Sequence, residues 1–179
     1  MSDDALLAAV DRLFGLLEGR GSEYLLAGDI ALLQYVDGRS SEKIELIVAP
    51  SSLDQIPEIY GFEDLQIDLL LTSNPLFEEV RRRYATRQRF AEREIPCATP
   101  EGLVLLKLYA LPSLYRQGNL ARVALYETDI LMLMDRQKVD VEPLFAELKA
   151  HLSPTDLASL RGITDEIRQR IQRFGGQFS

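Results

Sequence analysis

Two segments that read as strands carry charges that strands rarely hold. Lys43 and Glu45 stand two apart in KIELIV, and Asp68 stands in QIDLLL, each among apolar neighbours. Residues two apart in a strand share a face, so Lys43 and Glu45 point one way and Glu42 the other. If the strand of Asp68 lies beside that of Glu45, both carboxylates join on that face. A desolvated carboxylate needs a partner or a cation. Two chemistries fit: the carboxylates hold a hard cation such as magnesium, or the Lys43 ammonium takes its place in a salt-bridged cluster. Upstream, Gly28-Asp29 makes a turn after the apolar run YLLA, and Arg39-Ser40-Ser41 precedes the charged strand.

Other chemistries are narrowed by what is scarce. Cys97 is the single cysteine and His151 the single histidine. An internal disulfide is excluded, and so is a zinc site built from Cys and His. Cys97 lies in an apolar setting before Ala98-Thr99-Pro100 and reads as a packed thiol. The net charge of −8 argues against broad DNA or RNA binding, which needs cations to neutralise phosphates. Arg81, Arg82, Arg83, Arg87, Arg89 and Arg93 concentrate positive charge locally, as a solvated face or as an RNA or partner contact. No apolar run is long enough to span a membrane. The acidic start Ser2-Asp3-Asp4 is unlike a signal peptide, so a cytoplasmic location is expected.

The elements that must position these residues follow from periodicity and capping. Leu6, Val10, Leu13 and Leu17 repeat at helical spacing over Asp3 to Leu17, before Gly19 and Gly21. Strands are expected at Tyr24–Ala27, Lys43–Ala49 and Leu65–Leu71, with one weakly patterned strand within Arg87–Pro96. Short helices are expected at Ile30–Tyr35 and Pro50–Glu58. Asn74-Pro75 starts a helix running to about Tyr84, with Asn as cap and Pro at the first helical position. From Thr99 the pattern is helical: Thr99–Ala110, a loop over Pro112–Asn119, Leu120–Asp135, Glu142–His151, and a last helix opened by Ser153-Pro154-Thr155-Asp156. The division is an α/β half, 1–98, and a helical half, 99–179.

In order and spacing these segments resemble the minimal nucleotidyltransferases, in particular their abortive-infection and toxin–antitoxin branch. That family has a Gly-Gly or Gly-Ser turn before a short helix, an Arg-Thr-rich loop, a strand with Asp-x-Asp, and a third Asp on a later strand. Here Gly28-Asp29 within LLAGDIALL stands at the turn, and Arg39-Ser40-Ser41 at the loop. Lys43-Ile44-Glu45 falls on Asp-x-Asp and Asp68 on the third Asp. TPEGLVLLKLYAL is similar to the helix after the sheet, with Lys107 in its usual place, and Asp129 stands where the branch often has Asp. The resemblance runs from about Tyr24 to Met134.

The resemblance implies an α/β (α+β) fold: a nucleotidyltransferase-like small mixed sheet with flanking helices and a helical C-terminal lobe. It implies Glu45 and Asp68 as catalytic and metal-binding residues, and Gly28, Asp29, Arg39, Ser40, Lys43 and Lys107 as nucleotide-binding positions. In the family, two magnesium ions lie between carboxylates and a nucleoside triphosphate and stabilise an in-line displacement. The turn's N–H groups receive phosphate. An active member would use Mg2+ to transfer a nucleoside monophosphate from NTP to a protein or RNA acceptor. This chain departs from the pattern. Asp29 puts negative charge where phosphate docks, Lys43 replaces a metal-binding carboxylate with a cation, and Glu45 is longer than the family's Asp. The expectation is therefore a degenerate metal site without a cofactor, in a pseudoenzyme; the alternative is retained or altered activity, in one version with a single metal on Glu45 and Asp68. Such a chain would serve as a binding or interaction module, or as the protein partner in a toxin–antitoxin-type system.

Overall fold

The structure, a computed structural model, describes residues 3–37, 43–55 and 66–174. The chain forms two compact units, Met1–Thr99 and Pro100–Ser179.

In the first unit, helix α1 (Asp3–Gly19) precedes strand β1 (Tyr24–Ala27), which runs straight into helix α2 (Gly28–Leu32). Strand β2 (Lys43–Val48) leads to the short helix expected from Pro50, here a 3-10 helix over Pro50–Gln55; residues 56–58 of that expectation lie outside the described ones. Strand β3 (Gln66–Leu71) and helix α3 (Pro75–Arg83) follow. The Asn74 side chain accepts a hydrogen bond from Leu76 N at 3.0 Å, the cap that its pairing with Pro75 implies.

The single strand expected within Arg87–Pro96 is instead a hairpin, β4 (Ala85–Phe90) and β5 (Arg93–Ala98). Its turn sets Ala91 at φ 51 where a Gly or Asn would have announced it. In β4, Arg87 and Arg89 alternate with Thr86 and Gln88, so that strand shows no apolar face, and in β5 only Ile95 and Cys97 mark one.

The five strands form one mixed sheet in the order β3-β2-β1-β5-β4. β1 and β2 are antiparallel from Tyr24↔Val48 to Ala27↔Glu45. β2 and β3 are parallel, from Lys43↔Gln66 through Glu45↔Asp68 to Val48↔Leu71. Ile44 and Leu46 are buried while Lys43 and Glu45 are half-buried on the other face. Val10, Leu13, Phe14 and Leu17 of α1 and Leu76 and Val80 of α3 are buried, as are Leu25, Leu26, Ile47 and Val48 of the sheet. The Phe14 ring stacks on Tyr24 at 5.6 Å and meets Phe90 edge-on at 5.3 Å.

The second unit holds α4 (Pro100–Arg116), α5 (Leu120–Arg136), α6 (Glu142–Leu148) and α7 (Pro154–Phe174). Helix α4 passes through Pro112, where a loop was expected. Proline removes one helical N–H bond, but Leu108, Leu111 and Pro112 are all buried, and that packing holds the helix through it. The stop comes at Gly118, at φ 67, which only glycine adopts readily. Asn119 N donates to Leu114 O and Gly118 N to Tyr115 O, both at 3.0 Å, closing the helix end. Ser153 Oγ accepts from Asp156 N at 3.1 Å and caps α7. Among the described residues no helix is long and apolar enough to cross a membrane.

Candidate functional site

The site forms where β1 gives way to α2 and where β2 and β3 begin. Tyr24–Ala27 is fully buried and ends on an extended Ala27, after which Gly28 turns the chain at φ 67. The glycine is required there twice over. A side chain would be strained at that φ, and a Cβ would fall 2.7 Å from Glu45 Cδ and 2.8 Å from its Cγ. The Glu45 side chain therefore lies directly against the Gly28 backbone. Asp29 adds a second carboxylate in the first turn of α2.

The parallel register sets Asp68 beside Glu45. Lys43, two residues before Glu45 on the same face, reaches both carboxylates. Its Nζ lies 3.1 Å from Glu45 Oε1 and 2.6 Å from Asp68 Oδ2. The Lys43 and Glu45 side chains are 18% and 16% exposed and Asp68 39%, so the ammonium bridges at the mouth of the site and not in a sealed core. At this exposure water screens the pairs, and their geometry says more about occupancy than about stability. The Lys43 ammonium thus faces the carboxylates of Glu45 and Asp68, with Asp29 on the neighbouring helix.

An ammonium has no lone pair to offer a cation, and it sits between the two carboxylates that would ligate one. Among the described residues, no three or more His, Cys, Asp or Glu side chains are grouped to hold a metal ion.

The remaining positions expected to bind nucleotide divide in two. Arg39 and Ser40 lie outside the described residues. Lys107 lies in the second unit on α4, nearly fully buried, with Nζ 3.0 Å from Asp129 Oδ2 of α5 and 4.2 Å from the Tyr126 ring centre. Asp129 is itself fully buried. Tyr126 escaped the sequence reading. Its spacing of three from Asp129 on one helix was the available signal, visible only once Lys107 is known to face α5.

The arginine-rich stretch is also changed by its surroundings. Arg81 pairs with Glu78 at 2.7 Å, Arg83 with Glu79 at 3.0 Å, Arg87 with Glu94 at 3.7 Å and Arg89 with Glu92 at 3.8 Å. Arg93 reaches Asp11 at 2.8 Å and Glu18 at 2.9 Å, crossing α1 at Gly15. These partners hold the Arg81 and Arg93 guanidinium groups above their usual range, chiefly through the hydrogen bonds that the arginines donate to Glu78 and Asp11. Cys97 is buried, and burial pushes its thiol up to about 12, which disfavours the thiolate at neutral pH.

No protein-family model matches the sequence, and no curated protein matches it. Among solved structures, the chain is similar to an antigenic nucleotidyltransferase-like protein from Paracoccidioides brasiliensis. The TM-score is 0.65 at 11% identity, over 98% of this chain and 94% of that one. The fold of this chain is nucleotidyltransferase-like.

Proposed function

We propose that this protein is a nucleotidyltransferase-like binding or interaction module whose site does not run two-metal nucleotidyl transfer. The observation that carries the reading is the Lys43 ammonium, 3.1 Å from Glu45 and 2.6 Å from Asp68, between the side chains that would ligate magnesium. Asp29 and the Glu45 carboxylate against Gly28 support it further, because a triphosphate arriving at this turn meets negative charge. A protein partner, of the kind used in toxin–antitoxin pairs, is the ligand class this reading implies. Fold alone does not choose the partner.

Isothermal titration of the unaltered protein with magnesium and each nucleoside triphosphate tests it. The expected outcome is no magnesium-dependent binding. The double variant Lys43→Asp with Asp29→Ser removes the bridging cation and the charge at the turn, and it is expected to gain magnesium binding. Clear magnesium-dependent nucleotide binding by the unaltered chain would overturn the reading.

A further inference from the structure

At the end of β1 far from Gly28, the first unit has an open cleft of about 480 Å³, lined by Glu18, Glu23, Tyr24, Arg81, Arg87 and Pro96 among others. Its volume lies within the range of small-molecule sites, roughly 300–1,000 Å³. The sequence explains why it opens here. β1 and β5 are parallel neighbours that register at Leu26↔Cys97. Pro96, the next residue toward the cleft, has no N–H to give a ladder.

Two features point to a ligand. Tyr24 is 7% exposed, and its hydroxyl, with under 1 Å² of open surface, has no hydrogen-bond partner among the described residues, so a ligand reaches it once exposed lining side chains such as Arg87 move aside. Buried hydroxyls nearly always have one. Burial, and then Glu18, hold this phenol well above its usual range, so it remains a proton donor at any physiological pH. The second feature is that the lining carries both signs of charge. Glu18 and Glu23 come from the end of α1 and the segment after it, and Arg81 and Arg87 from α3 and β4. Glu18 is engaged by Arg93 and Arg81 by Glu78. Arg87 donates to the Glu94 carbonyl at 2.7 Å, but its side chain is 62% exposed, and Glu23 is exposed as well. A ligand of one sign meets repulsion from half of this lining, whereas a ligand with both signs is matched by it.

We propose that this cleft binds a small zwitterion of the free amino acid class, its carboxylate received by Arg87 and the Tyr24 hydroxyl and its ammonium by Glu23 and Glu18. The site is separate from the Lys43 cluster and stands whether or not that cluster binds metal.

Thermal-shift and calorimetric titrations of the full chain with each of the twenty free amino acids test the proposal. At least one is expected to bind. Its amine and carboxylic acid analogues, each lacking one charge, should bind at least tenfold more weakly. Tyr24→Phe keeps the ring against Phe14 and should weaken binding about three- to tenfold, the size of one hydrogen bond. Arg87→Gln removes a charge-assisted contact from an exposed position and should cost about tenfold or more. Lys43→Asp should leave the affinity unchanged, which separates this site from the reading above. Absence of binding by every amino acid overturns the proposal, and so does binding that ignores both Tyr24→Phe and Arg87→Gln. A gain in thermal stability for Tyr24→Phe with no ligand found would leave the hydroxyl as an unmet buried donor, against the proposal.

Discussion

Gly28 is the residue on which the candidate site turns, because its missing side chain is filled by Glu45. Gly28→Ala must place a Cβ at a left-handed φ and push the Glu45 side chain aside. Left-handed backbone alone costs about 1–2 kcal/mol, and the displaced carboxylate adds to it. We expect a loss of about 2–3 kcal/mol in urea denaturation, whereas Gly118→Ala, at φ 67 with open space around it, should cost only the backbone term. Much of the site was legible at this scale. The two-residue spacing of Lys43 and Glu45 fixed their common face without any tertiary information. Placing Asp68 opposite Glu45 needed one further fact, that β2 and β3 are neighbours in parallel register, and one sequence does not supply strand order. The reach of Glu45 back to Gly28 was not legible, since it depends on the antiparallel step from β1 to β2.

Between elements, the buried Lys107–Asp129 pair ties α4 to α5, with Tyr126 capping the ammonium. Lys107→Met leaves a fully buried carboxylate without its cation. Removing one partner of a buried pair costs about 3–5 kcal/mol, so a large drop in thermal midpoint is expected. Lys107→Met with Asp129→Leu should recover most of it. A lysine that served only to touch phosphate would show neither the loss nor the recovery. Sequence gave the two helices but not this bond, because both residues sit inside apolar runs where either a solvated or a paired side chain fits. The β4–β5 hairpin was hidden for a related reason. Its strands are joined by a backbone ladder from Ala85↔Ala98 to Phe90↔Arg93, and β4 alternates Arg with Thr and Gln, so its strand period is carried by polar residues and not by hydrophobicity. Where apolar spacing and capping agree, as at Asn74-Pro75 and Ser153, the elements were readable almost to the residue.

For the whole molecule, charge sets what it can meet. The net charge is −8, and the arginines of α3 and the hairpin are largely committed to acids of the same unit. Few counterions would be released from a nucleic acid bound there. Single-stranded RNA, followed by fluorescence anisotropy at about 150 mM salt, is therefore expected to bind no tighter than about 100 μM. An affinity near 1 μM would mean that the arginines exchange their partners. The bridging lysine has its own consequence at this scale. A metal is borrowed from solution, and its hold on a protein varies with supply, competitors and chelators. A cation carried on the polypeptide has an effective concentration fixed by the chain itself. With Lys43 bound to its own strand, the β2–β3 end of the sheet keeps the same charge balance however the ionic surroundings change.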